Sequence, residues 1–294
     1  MKKRLYLNSC SFMDNDAIVG EASPLKHFFK NTNINDKWVE NPSHKASLGG
    51  SSNEMIFRRT LLDILNNDFD FVIIAWSHPE RYLVPNINVK LDYKKLKEDG
   101  DRELQGVHYS EPYAYIGGIP GHGATQTAEL LKFEPKGTDD TILYTLALHN
   151  ILNSKNIPHL FMNMGKVDSN VISARENWIR HINPKNYLSM NDDDTLLDKM
   201  SFSFVEYFIN QGGTEFIKDR GIALINKEKN IDNINQILHK NPYLIDIGGH
   251  LSDIAFNIIY ELIYKHIIKH DMIDGIIKPN IILKSDTDVK KNLI

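Results

Sequence analysis

The stretch "DFVIIAWS", Asp70 to Ser77, limits the possible folds more than any other part of the chain. Its apolar residues, Phe71 to Trp76, run without interruption between polar boundaries. A strand with one wet face alternates apolar and polar side chains. An unbroken apolar run this short, rich in β-branched and aromatic residues, suits a strand covered on both faces. Sheets covered on both faces are built by helical crossovers, so the run asks for a parallel sheet between helices.

Other segments fit that frame. Arg4–Asn8 and His159–Met164 read as further buried strands, the second starting after the breakers Asn156 and Pro158, and Lys37–Glu40 as a weaker one. Helical patterns lie between them. Ser51 and Glu54 have capping-box spacing ahead of Phe57, Leu61, Ile64 and Leu65. Asp139 and Asp140 precede "TILYTLALHNILN", apolar nearly all round. Near the end, "SDIAFNIIYELIYKHIIKH" carries an apolar face of Ala255, Ile259 and Ile263 beside Ile254, Ile258 and Leu262. A polar stripe of Asp253, Asn257, Glu261 and Lys265 edges that face. Alternating strands and helices predict an α/β fold with a central parallel sheet.

The 294 residues suit one domain spanning 1–294. Within it, 85–137 is rich in Gly, Pro, Tyr and charge without periodicity and reads as an inserted functional loop. Residues 166–245 look helical but irregular, and the tail after about 275 reads as loose.

Composition removes several classes of function. A formal charge of −4 argues against a polyanion-binding surface, so no nucleic-acid partner is expected. One cysteine, Cys10, excludes an internal disulfide framework and reads as a small buried packing residue. The opening "MKKRLYLNSCSF" has too short an apolar stretch for a secretory signal, and no run approaches the roughly 18 apolar residues of a membrane span. A cytoplasmic protein without a membrane partner is the expectation.

Ligands of open parallel sheets bind beyond the carboxyl ends of the strands, so the residues after each strand carry the functional signal. The first predicted strand is followed by Ser9, Cys10 and Ser11, and the weak second one by "ASLGGSSNE". "WSHPER" follows the third, and "LIDIGGHLS" precedes the last helix. Serine, histidine and aspartate are the parts of an acyl-transfer site. An imidazole must take the hydroxyl proton, and a carboxylate must hold that imidazole in the right tautomer. Gly50, just before a helix N-terminus, can offer a backbone N–H to an oxyanion.

Four segments in order resemble the blocks of the SGNH (GDSL-type) hydrolases. "NSCSF" resembles the first block, in the "GCSF" variant that recurs in phage-encoded members. "GGSSNEMIFRR" resembles the second, "FVIIAWSHPER" stands in the place of the third, and "DIGGHLS" resembles the last. The resemblance implies a flavodoxin-like three-layer sandwich and metal-free cleavage of acyl esters. Ser11 would be the nucleophile, Gly50 an oxyanion donor, His250 the base and Asp246 its partner. The chain departs from the family at three points. Ser9 replaces the glycine of the first block, Ser77 or His78 stands where the third block has asparagine, and Asp246 and His250 are four residues apart instead of three. A tight loop through Gly248 and Gly249 would absorb the extra residue; otherwise His250 has another partner. His78 can donate one hydrogen bond to an oxyanion.

The expected activity is hydrolysis of an O-acyl, such as acetyl, group on a carbohydrate through an acyl-enzyme on Ser11, with no cofactor. The partner is a small-molecule or carbohydrate ester, and Tyr113 and Tyr115 of the insertion are available to stack on a sugar. A non-catalytic binding or structural module, virion-associated, is the main alternative, and an O-acyltransferase the second. Gly118 and Gly123 have phosphate-loop spacing, but Ala124 replaces the required lysine. His266 and His270 share a helical face but lack the glutamate of a His-Glu-x-x-His motif, so metal dependence is not expected. Trp76 reads as core packing, and Glu80 and Arg81 as a solvated pair.

Overall fold

A computed structural model describes residues 5–10, 52–79, 82–85, 113–116, 134–226 and 228–273. In chain order the elements are β1 (Leu5–Asn8), α1 (Asn53–Asn66), β2 (Phe71–Trp76), β3 (Tyr82–Pro85), β4 (Tyr113–Ile116), α2 (Glu134–Ser154), β5 (His159–Asn163), α3 (Ser169–Ala174), α4 (Glu176–Ile179), α5 (Leu196–Ser201), α6 (Phe204–Asn210), α7 (Gly213–Ile225), α8 (Ile231–Leu238) and α9 (Asp253–Lys269). A 3-10 turn at Pro184–Asn186 lies between α4 and α5.

The unbroken apolar run becomes the middle strand of a three-stranded parallel sheet ordered β1-β2-β5. Leu5 lies beside Phe71 and Asn8 beside Ile74 on one side; Val72 pairs with His159 and Trp76 with Asn163 on the other. Alternation along the strands then sorts side chains into two cores. Leu7, Phe71, Ile73, Ala75, Leu160 and Met162 point to one face, where α6, α7 and α9 supply Phe204, Phe208, Phe216, Ile259 and Ile263. Tyr6, Val72, Ile74, Trp76 and Phe161 point to the other, against α1, α2 and α3 through α5. Every β2 side chain is buried, and at about 1.5–3 kcal/mol per large apolar side chain such burial is the main force holding the sheet. The molecule is α/β, with helices on both faces of a parallel sheet.

Trp76 is fully buried with its ring stacked 6.2 Å from that of Phe161, and Cys10 is fully buried, both as expected of packing residues. Along α9 the stripe of Asp253, Asn257, Glu261 and Lys265 is exposed. Its buried face runs through Ala255, Phe256, Ile259, Tyr260, Ile263 and Ile267. The irregular region resolves into the short helices α3–α8. No helix among the described residues is long and apolar enough to cross a membrane.

Several local expectations are corrected. The N-cap of α1 is Ser52, which accepts from the Met55 N–H at 3.2 Å, because the helix begins at Asn53. Glu54 instead pairs with Arg58 one turn on, at 2.7 Å. Helix α2 starts at Glu134, inside the stretch read as a loop, and Pro135 suits a first turn, where its missing N–H costs nothing. Asp139 and Asp140 therefore sit within the helix, bonded to Arg175 and Lys136. Ser252 occupies the N-cap position of α9, yet its hydroxyl donates to the Pro242 carbonyl at 2.7 Å. Strands β3 and β4, unrecognised in the sequence, pair antiparallel from Tyr82–Ile116 to Pro85–Tyr113. The strand expected at Lys37–Glu40 and the tail beyond 275 lie outside the described residues, as do Glu80, Arg81 and most of 85–137.

Candidate active site

The segment before α9 is a closed loop. Leu244 and Leu251 form an antiparallel bridge, and the Ile245 N–H donates to the His250 carbonyl at 2.9 Å. Inside the loop, Asp246 Oδ1 accepts from the backbone N–H groups of Gly249 (2.9 Å) and His250 (3.1 Å). Its other oxygen, Oδ2, lies 2.6 Å from His250 Nδ1. The extra residue relative to the family spacing is taken up at Gly249, whose φ of +104° is a conformation side-chain-bearing residues rarely adopt. So Asp246 and His250 do meet.

This geometry fixes the tautomer. With Nδ1–H given to the carboxylate, Nε2 carries the lone pair and can accept a proton from a hydroxyl. Burial would push the Asp246 carboxyl up, but the His250 imidazole and the two backbone N–H groups outweigh it and hold the pKa below the usual carboxylate range. Asp246 therefore stays anionic at neutral pH and can stabilise an imidazolium. The side chains are 44% and 41% exposed, so a substrate can reach the pair.

Contacts place the loop at the carboxyl edge of the sheet. Gly249 abuts Val205, where an added Cβ would stand 3.2 Å from Cγ1. The Val205 N–H in turn donates to the carbonyl of Met164, the residue after β5, at 3.1 Å. From α7, Arg220 Nε donates to the Ile247 carbonyl at 2.8 Å and pins the loop from behind. Arg220 has no signature in the sequence, since nothing local marks an arginine for a carbonyl 27 positions on.

The first strand delivers its residues to the same edge. Asn8 and Ser9 are fully buried, and Cys10 shares an apolar cluster with Leu251, next to His250. Ser11 and Gly50 lie outside the described residues. After β2, Ser77 is fully buried and its backbone N–H donates to Asn53 Oδ1 at 2.6 Å. That N–H is thereby committed and cannot meet an oxyanion, and the neighbouring His78 is half-buried. Gly165 passes so close to the backbone of His78 that an added Cβ would lie 2.6 Å from its Cα, which fixes where the His78 ring originates. Asn53 is a second residue the sequence did not single out. Its Nδ2 bonds Thr141 Oγ1 (2.8 Å) and the Ser77 carbonyl (3.2 Å), tying the end of β2 to α1 and α2.

A cavity of about 280 Å³ opens elsewhere, lined by His159, Asn183, Lys185, Asn186, His270 and Asp271 among others. His159 begins β5, so this cavity belongs to the amino edge, away from the Asp246–His250 pair. Comparison with protein-family models, curated proteins and solved structures finds no significant match to this chain.

Proposed function

We propose that the chain is an SGNH-like serine hydrolase with a flavodoxin-like sandwich, acting on an acyl ester. The reading rests chiefly on the 2.6 Å contact between His250 Nδ1 and Asp246 Oδ2, which makes Nε2 the basic nitrogen of a partly exposed imidazole. It is supported by the order of the four family-like segments and by the place of Ser11 in the sequence, next after the buried Ser9 and Cys10 that follow β1.

In this mechanism Ser11 Oγ attacks the ester carbonyl as His250 Nε2 takes the hydroxyl proton. The oxyanion is met by the Gly50 N–H and by His78, and Asp246 offsets the charge on the imidazolium. The imidazolium proton then passes to the departing alkoxide, leaving an acyl group on Ser11. Water, deprotonated by His250, releases the carboxylate and restores the hydroxyl. The preferred substrate is an O-acyl group on a carbohydrate, on the strength of the family tendency and the tyrosine-rich composition of the insertion.

A fluorophosphonate probe tests the proposal. Labelling of the wild type and of Cys10→Ala, with loss in Ser11→Ala and a fall of roughly 10²-fold or more in rate in His250→Ala, is the expected result. Absence of labelling in folded wild-type protein overturns it. The commitment of the Ser77 N–H to Asn53 favours a second reading, a non-catalytic module whose third block stabilises no oxyanion. Acceptor-dependent ester formation in place of hydrolysis would mark an acyltransferase.

A further inference from the structure

Beyond the hydrolase reading, a second constellation occupies the amino edge of the sheet. His266 and His270 lie one turn apart at the end of α9, and Asp192 reaches them from the loop before α5. His266 is 2% exposed. Its Nε2 sits 2.7 Å from the Lys185 carbonyl oxygen, which can only accept, so Nε2 carries the ring proton. In a neutral imidazole Nδ1 is then a bare lone pair. It stands 2.6 Å from Asp192 Oδ1 without a correctly aligned hydrogen-bond partner among the described residues. A lone pair facing a carboxylate oxygen at that distance is repulsive unless positive charge lies between them. His270 adds Nε2 at 2.9 Å from Asp192 Oδ2.

We propose that Asp192, His266 and His270 form a binding site for a divalent first-row cation of the zinc class. The three ligand atoms lie within 4.8 Å of one another. Zinc bonds of about 2.0–2.2 Å set tetrahedral donors roughly 3.3–3.6 Å apart, so a small opening of the Asp192–His266 contact suffices. A backbone carbonyl on the far nitrogen of a ligating histidine is the usual second partner of such sites; it orients the ring and keeps the ligand nitrogen deprotonated. Three protein ligands leave a position for water, and His270 also lines the amino-edge cavity from which that position is reached.

Two lysines also face Asp192. Lys269 Nζ is 2.7 Å from Oδ2 but half exposed and already 2.9 Å from Asp193, to which it can transfer fully. Lys199 Nζ, 3.4 Å from Oδ1, is buried and stays beside the carboxylate.

The test is metal titration of tag-free, chelator-treated full-length protein, followed by cobalt visible absorption and zinc calorimetry. One equivalent of Co²⁺ with tetrahedral bands is expected, displaced by Zn²⁺, with affinity weakened roughly tenfold or more in His270→Ala and in Asp192→Asn. His270 is partly exposed, so its variant is expected to fold. His250→Ala, at the opposite edge, is expected to keep full uptake. Absence of stoichiometric uptake by the wild type, or equal uptake by His270→Ala, overturns the proposal and leaves an ion-paired cluster. Loss of uptake in His250→Ala also overturns it, by moving the metal to the other edge.

Discussion

Two buried histidines show how single side chains set the pH range of the molecule. His159 Nδ1 lies 2.9 Å from the Ile157 carbonyl and must donate to it, so Nε2 accepts from His149 Nδ1 at 2.8 Å. His149 Nε2 in turn faces Asn153 Nδ2 at 3.0 Å. Every polar atom of this chain is satisfied only while both rings are neutral. Burial, helped by the His149 and Lys185 charges against the Ile157 carbonyl, pushes the His159 pKa down to about 4, and burial lowers that of His149. Between pH 6.5 and 4 the unfolded chain therefore binds more protons than the folded one, and stability falls as pH falls through that window. The shift at His159 corresponds to a loss on the order of 3 kcal/mol, shared with its coupled neighbour. Urea denaturation at pH 7 and pH 4.5 checks the sign, and a His159→Gln variant is expected to flatten the slope. A slope of opposite sign would exclude the neutral pair.

Helix α9 joins the two edges of the sheet and is held by one face. Ile263 is fully buried in the core that includes Leu160 and Met162, whereas Ile254 on the same helix is 52% exposed. Ile263→Ala is expected to cost about 2–5 kcal/mol through lost transfer energy and the cavity left behind. Ile254→Ala is expected to change stability by less than about 0.5 kcal/mol. Denaturant midpoints separate the two, and equal effects would mean that α9 packs in another rotation. The helix C-terminus also carries Lys269, a cation that suits its partial negative charge. Asp192 is drawn to that cation. Burial would raise its pKa, yet the hydrogen bonds from Lys269 and His270 and the charge of Lys199 hold it far below the usual carboxylate range.

In the molecule as a whole, the junction of β2 with the helical layer depends on Asn53. Its side chain caps the sheet edge at Ser77 and reaches Thr141 on α2, itself bonded to the Gly137 carbonyl at 2.7 Å. Asn53→Ala leaves the fully buried Ser77 N–H without its partner and is expected to cost about 1–3 kcal/mol. Calorimetry measures that loss, and Asn53→Asp, which keeps the acceptor, is expected to recover part of it. The strands β1, β2 and β5 and the centre of the buried face of α9 were readable in the chain because burial writes a local pattern of period 2 or 3.6. That face is turned toward Phe256 and Tyr260, however, and leaves Ile254, read as apolar-face, exposed. The pairing of Asp246 with His250 was half readable: both residues stood in one motif and a tight loop through Gly248 and Gly249 was one of two readings, but spacing did not say which reading holds or that Gly249 takes the left-handed turn. Asn53, Arg220 and Asp192 were not readable at all. Their partners lie 24, 27 and 74 to 78 positions away, and no periodicity links side chains so far apart. Local hydrophobic order thus dictated the layers, since each residue is sorted to a face by its neighbours along the chain. Which polar groups came to share an edge was decided only when the sheet closed and the helices crossed it, because contact across such separations exists only after the backbone has folded.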